Sequence, residues 1–549
     1  MVELGRRTTY ALLLALVSVN VLARLPTVEH ESGLDSFYIH NLATSISDRG
    51  RADWILNPLG YFGWYPLSYP SAGPYLISGL AQTADITEEG AILLLSISYG
   101  AAGVLVAFLM ARAFRRDDLF ALVVALLFSL APRFLTFTTW SASTRNLFML
   151  LVPVFLWAFI RSYRRPSLAH LLVFLSILTM MLATHRLTVL LSVVVIAFVI
   201  AYVFILLHHV MRIRFPRLLL SPRTRKWTPR LALLGIVCIA GYMLFLTDTL
   251  DQYAVGELCT GTSVEAKLCN LGGSITRSVG LGLPFALGGV FVLVRERGKG
   301  FIEAFLVLSL LALVPTLFLR QYTGFYILPF VALFGAFGVL GVARALRRRR
   351  RIRNAVVVAT LVVISGFSFG LLRVEVQRAT VMGGSEYSTG LYLQALPAGN
   401  FVSNDGLLTS RLASVSGRGG LPVGGASTTG QSPELLIMGV YNASEVKERE
   451  TRIPITDLTI EDDSPFYLQG IDARTDWIVK VLQRDADDVV IRPGYRLQYF
   501  VESDYFRGAF TAYGNIYRGI QFALSNHAER YKIYDGTTED IYLSFPPLA

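Results

Sequence analysis

Residues 89–116 read EGAILLLSISYGAAGVLVAFLMARAFRR: an apolar and small-residue run from Gly90 to Ala111 that ends on Arg112, Arg115 and Arg116. A bilayer core offers backbone N–H and C=O groups no partner but each other. An uninterrupted run of about 20 such residues is therefore a transmembrane helix. Arginines gathered at one end mark the cytoplasmic side. Outward from this stretch the same pattern recurs at 8–25, 118–138, 145–162, 167–184, 187–210, 229–248, 278–295, 300–319, 323–345 and 354–373. With 89–113 these make about eleven expected spans, the first an uncleaved helix behind Arg6 and Arg7.

Alternate loops are basic: Arg112, Arg115 and Arg116; Arg161, Arg164 and Arg165; Arg212 through Arg230; Arg295, Arg297 and Lys299; Arg347 to Arg351 with Arg353. The intervening loops carry no such cluster, so the N-terminus is expected in the cytoplasm and residues 375–549 outside a cell membrane crossed many times. Hydrophobic residues are 53% of the chain and charged residues 16%, against roughly 25% charged in a typical soluble protein. The net charge of +11 resides in those short loops, which argues against nucleic acid as a partner. The expected architecture is a polytopic α-helical membrane domain over 1–374, including a large first outer loop at 26–88. A mixed α/β extracytoplasmic domain over 375–549 follows. Within that domain Asp488–Ile491 and Arg496–Val501 read as strands and Tyr517–Glu529 as a helix. Tyr531–Tyr534 and Ile541–Leu543 about Asp535-Gly536 read as a hairpin. Cys259 and Cys269 share an outer loop, where a disulfide persists if they pair; two free thiols are the alternative.

No P-loop, dinucleotide-binding glycine pattern, zinc-protease motif or nucleophile elbow is present. The informative polar residues cluster at the outer face. In Glu29-His30-Glu31-Ser32-Gly33-Leu34-Asp35-Ser36-Phe37-Tyr38-Ile39-His40, a helix is expected over Asp35–Ile46, with Phe37, Ile39 and Leu42 on the membrane surface. If the helix extends back, Glu31 and Asp35 share a face. A carboxylate there serves as a general base, as an oxygen ligand for a divalent cation, or as a plain acidic cap. Arg133, Arg145, Arg186 and Arg320 stand at outer ends of spans, where the positive-inside rule disfavours them. Arginine forks suit phosphate oxygens, although snorkelling to ordinary headgroups places them there too.

Four stretches carry a resemblance. The first loop opens on Asp35-Ser36-Phe37-Tyr38 with His40 and continues through Trp54 and Trp64-Tyr65-Pro66-Leu67-Ser68-Tyr69-Pro70. His185 stands in an outer turn, and Arg320 precedes Phe325–Gly341. In these the chain resembles the GT-C superfamily of polyprenyl-phosphate-dependent membrane glycosyltransferases, nearest to archaeal relatives of the oligosaccharyltransferase catalytic subunit and to protein mannosyltransferases. It departs from the oligosaccharyltransferase branch in lacking a Trp-Trp-Asp-Tyr-Gly motif and in having no acid over Thr138–Asn146. The resemblance implies an enzyme that moves a sugar from a polyprenyl-phosphate carrier to an extracytoplasmic acceptor. Asp35 becomes the catalytic carboxylate, or with Glu31 a holder of magnesium or manganese. Arg186, Arg320, Arg145 and His185 become binders of the lipid phosphate, and Tyr38, His40, Trp64 and Tyr65 lie along the sugar or acceptor. Asp35 is expected to share a cavity with Arg186 or Arg320. A non-catalytic scaffold of the same architecture is the main alternative; a transporter or flippase fits less well, since the spans hold few carboxylates and no internal repeat.

Overall fold

The computed structural model of the chain describes residues 5–50, 55–56, 68–69, 72–164, 167–185, 188, 190–214, 278–295, 301–316, 324–346, 350–378, 382–397, 399–403, 406–418, 420–422, 497–503, 531–536 and 539–543. For some of these, Asp35 and Tyr38 among them, the description covers the backbone alone. In chain order the helices are α1 (Arg6–Leu22), α2 (Leu34–Arg49), α3 (Ala72–Ala84), α4 (Glu88–Phe114), α5 (Asp118–Ser129), α6 (Pro132–Phe137), α7 (Thr144–Arg164) and α8 (Leu168–Thr184). They continue with α9 (Leu191–Arg214), α10 (Gly282–Arg295), α11 (Phe301–Thr316), α12 (Gly324–Ala345), α13 (Arg350–Arg378), α14 (Gly384–Ala395) and α15 (Gly406–Ser416). The strands are β1 (Ile55–Leu56), β2 (Ser68–Tyr69), β3 (Asn400–Ser403), β4 (Gly420–Pro422), β5 (Leu497–Ser503), β6 (Tyr531–Asp535) and β7 (Glu539–Leu543). Contacts divide the chain into two compact units: Met1–Leu25, Ser96–Thr139 and Arg145–Val376; and Pro26–Leu95, Trp140–Thr144 and Gln377–Ala549.

The first unit is helical. Every expected span except 229–248, which lies outside the described residues, coincides with helix. Among the described residues four helices, Glu88–Phe114, Thr144–Arg164, Gly324–Ala345 and Arg351–Arg373, are long and apolar enough to cross a membrane, with mean hydropathies of 2.3, 1.5, 2.2 and 2.4. Apolar side chains turned outward, such as Tyr10, Leu168, Phe291 and Val362, are each more than half exposed. That is the surface a lipid-embedded bundle presents. The expected span 118–138 is instead two helices. Pro132 pushes Ala131 out of the helical region (ψ 139°), so α5 stops and α6 restarts.

At the centre lies α12, buried from Gly324 to Leu340. Its contact with α10 is backbone on backbone. A Cβ on Gly289 would lie 1.8 Å from the Phe334 carbonyl oxygen, and one on Gly338 would lie 1.9 Å from that of Phe285. In lipid, where burial between helices yields no hydrophobic gain, such close packing of small residues supplies the association.

In the second unit the described residues of 26–88, which the sequence groups with the membrane segment, pack with residues from the C-terminal segment. Phe37, Ile39 and Leu42 of α2 are at most 1% exposed. The expectation that they lie on the membrane surface is therefore corrected. Ile39 and Leu42 join Ile77 and Ala81 of α3, Ala91 and Ile92 of α4, and Trp140 in one cluster. Phe37 sits beneath the Arg411 guanidinium of α15, 5.6 Å from its ring centre. The C-terminal segment adds a five-stranded sheet in the order β4-β3-β5-β7-β6. β3 pairs parallel to β4 and β5, while β7 pairs antiparallel to β5 and β6. Leu393 of α14 and Leu408 and Leu412 of α15 close over Phe401, Tyr499, Val501 and Ile541 of the sheet. The expected strand 496–501 and the terminal hairpin are present; Asp488–Ile491 and Tyr517–Glu529 lie outside the described residues.

Candidate functional site

The second unit builds its polar site where α2 begins. Gly33 (φ +106°) turns the chain into the helix, and a Cβ there would meet Ser141 Oγ at 2.9 Å. Ser32 N–H donates to the Trp140 carbonyl at 3.0 Å, and Ala142 N–H donates to Ser36 Oγ at 2.6 Å. Residues 32–36 are thus laced to 140–142. Asp35 is the second residue of α2. A carboxylate at that position is favoured by the positive end of the helix dipole.

Glu31 does not share a helical face with Asp35. It precedes the helix, 1% exposed, and its oxygens are engaged separately. One accepts the Ser36 hydroxyl; the other lies 2.5 Å from His40 Nδ1. His40, the residue expected along the sugar or acceptor, is also buried and lies against this carboxylate. Burial acts to lower its pKa. Attraction to Glu31, their hydrogen bond and the pull of Glu88 and Glu89 outweigh this and hold the imidazole above its usual 6.5. Nearby, Glu89 accepts the Glu31 N–H at 2.9 Å and pairs with His30 at 3.3 Å. The His30 ring stacks on Tyr387 at 4.0 Å.

A metal held through Glu31 would compete with Ser36 or His40 for its oxygens. Among the described residues no group of three or more His, Cys, Asp or Glu is placed to hold one. Both Glu31 oxygens are engaged, and no step below runs through a metal.

The first unit gathers cations and rings. Arg145, in the first turn of α7, lies 5.4 Å from the Phe137 ring centre. Phe137 meets Phe325 edge-on at 5.2 Å, and Arg133 lies 5.0 Å from the same Phe325 ring. His185, the residue after α8, is buried, with its ring 5.7 Å from Phe148. Phe148 in turn meets Tyr326 at 5.0 Å. Arg145, Arg133 and His185 thus converge on the buried start of α12. Arg186, Arg320, Trp64, Tyr65, Cys259 and Cys269 lie outside the described residues.

Sequence reasoning missed Arg24, which is fully buried. Its guanidinium donates to Thr138 Oγ1 at 2.9 and 2.7 Å, to the Asn20 carbonyl and Oδ1 at 2.9 Å each, and to the Ser129 carbonyl at 3.5 Å. Every acceptor is neutral. The Ser129 carbonyl belongs to the turn where α5 stops before Pro132, so Arg24 satisfies a group that the helix break exposes. Gly100 of α4 leaves it room, since a Cβ there would lie 2.5 Å from Arg24 Cδ. The available signal was an arginine at an outer span end, the same one that drew attention to Arg133 and Arg145.

No family model matches the chain, and no curated protein does. Solved structures do match in fold. One is the Archaeoglobus fulgidus oligosaccharyltransferase tethered to an acceptor peptide (TM-score 0.61, 12% identity, covering 99% of this chain and 75% of that one). A second is ArnT from Cupriavidus metallidurans bound to undecaprenyl phosphate (TM-score 0.56, 11% identity, 98% of each chain). A third is the arabinofuranosyltransferase AftD from Mycobacteria (TM-score 0.51, 15% identity, 99% of this chain and 42% of that one). All three are GT-C membrane glycosyltransferases. Over almost its full length, then, this chain shares the fold of these solved membrane glycosyltransferases.

Proposed function

We propose that the protein transfers a sugar from a polyprenyl-phosphate carrier to an acceptor on the extracytoplasmic side of the cell membrane. The observation that carries this is the GT-C fold over 98% of the chain and of a neighbour solved with undecaprenyl phosphate, with Asp35 in the first turn of α2. Asp35 takes the acceptor hydroxyl's proton as that oxygen attacks the anomeric carbon. The bond from the anomeric carbon to the phosphate oxygen breaks, and its electron pair leaves on the lipid phosphate. Arginine contacts that strengthen as this charge develops lower the barrier. Arg145 and His185 are assigned to that phosphate with Arg186 and Arg320, and Tyr38, Trp64 and Tyr65 to the sugar or acceptor.

The assay is sugar release from a panel of polyprenyl-phosphate sugars by the full chain in lipid nanodiscs, with and without magnesium or manganese. Turnover that Arg145→Ala lowers chiefly through a raised KM for the carrier supports the reading. If no carrier is consumed under any condition, the scaffold reading replaces it.

A further inference from the structure

We propose that Glu31, Ser36 and His40 are positioning residues: a clasp that pins the first turn of α2 to residues 140–142 and thereby fixes the backbone of Asp35 for proton transfer. The inference rests on Asp35 being the base. Asp35 lies between the two gripped points, the Gly33 bend against Ser141 and the Ser36 hydroxyl that bridges Ala142 N–H to Glu31. Glu31 is the hub. It reaches five residues forward to Ser36 and nine to His40, tying the chain before the helix to the helix's first and second turns. At 1% exposure its charge lacks solvent to stabilise it. An isolated buried carboxylate is costly, and a paired, hydrogen-bonded one is not.

His40 supplies the opposite charge while it is protonated. The charged groups around it are Glu31 in the preceding segment and Glu88 and Glu89 at the start of α4, Glu89 itself pairing with His30. From α15, Arg411 lies against Phe37 of the same helix and is paired with Glu386. α3 contributes no charged side chain. Glu31 Oε1 lies 2.5 Å from the imidazole Nδ1, so the contact itself closes the clasp. A first turn loosened by loss of the clasp leaves Asp35 misplaced. Displacement of about 1 Å at a reacting group costs up to about 100-fold in rate.

The experiment compares wild type, Glu31→Gln, Ser36→Ala and Asp35→Asn as full chains in lipid nanodiscs. It measures amide hydrogen exchange by mass spectrometry and turnover of the polyprenyl-phosphate sugar panel across pH. In Glu31→Gln and Ser36→Ala, amides of 33–37 and 140–142 should exchange at least about tenfold faster, with the C-terminal sheet unchanged. Turnover kcat should fall about 10- to 100-fold with the KM for the carrier held. Unchanged exchange in both variants overturns the clasp. Faster exchange with unchanged kcat, while Asp35→Asn is inactive, overturns its positioning role and leaves the base assignment standing. If Asp35→Asn retains turnover, or if wild type consumes no donor, the underlying reading fails and the inference with it. Should Glu31→Gln not fold, Ser36→Ala, which keeps the ion pair, carries the test.

Discussion

The two units bury charge in opposite ways. In the first, Arg24 is enclosed completely and answered only by neutral oxygens, two from Asn20, one from Ser129 and the Thr138 hydroxyl. Arg133 and Arg145 lie against aromatic rings. In the second, buried charge meets opposite charge: Glu31 with His40, and Glu386 with Arg411. Hydrogen bonds to neutral acceptors satisfy the Arg24 donors without cancelling its charge. An ion pair cancels its charge locally and makes the site sensitive to protonation instead.

The contrast can be broken at its strongest point. His40→Ala removes one partner of a buried pair and strands Glu31, so it should cost about 3–5 kcal/mol in chemical denaturation. Loss of less than about 1 kcal/mol would mean that the pair is solvated. Arg24→Lys keeps the charge but not five donors in a fork. Leaving Thr138, Asn20 or Ser129 oxygens unpaired should cost about 1–3 kcal/mol, read as a lowered unfolding midpoint. If Arg24→Lys is neutral, the fork is not what the first unit needs.

Gly338→Ala tests the frame of the first unit. A methyl placed against the Phe285 carbonyl must separate α10 from α12, with a loss of about 1–3 kcal/mol expected for overpacking. Exposed Ala substitutions on α8 should show no such loss.

The pH response sharpens the contrast further. The folded pKa of His40 is raised, so its contribution to stability is complete below 6.5 and is lost as pH rises through the folded value. The unfolding midpoint of wild type should fall across that window, and that of His40→Gln should not follow it there. The smallest effect belongs to the exposed end of the hairpin. Lys532 pairs with Asp535 and Asp540 near the surface, and Lys532→Ala should change stability by at most about 1 kcal/mol, less in high salt.

The membrane fold was legible because lipid imposes one rule along each span, and runs such as 89–113 and 323–345 obey it in their own composition. The break at Pro132 was equally readable in principle, since proline acts on the residue before it. The helix at Asp35 was legible too, but its burial was not. Phe37, Ile39 and Leu42 form an apolar stripe that fits a membrane surface or a protein core equally well. What covers them, α3 and α15, comes from elsewhere in the chain. Glu31 went astray for a similar reason. Its spacing from Asp35 suggests a shared face, yet Gly33 at positive φ starts the helix after Glu31, and only the fold brings His40 within reach of it. Arg145, Arg133 and His185 are brought together by rings from α6, α7 and α12 that no local pattern connects.

The most direct test of the central claim compares sugar release from polyprenyl-phosphate donors by wild type and Asp35→Asn, both in nanodiscs with their folds verified by hydrogen exchange. The account predicts turnover by wild type and a loss of about 100-fold or more in the variant, the lower end of what acid–base catalysis contributes. A folded Asp35→Asn protein that turns over within about threefold of wild type would contradict it.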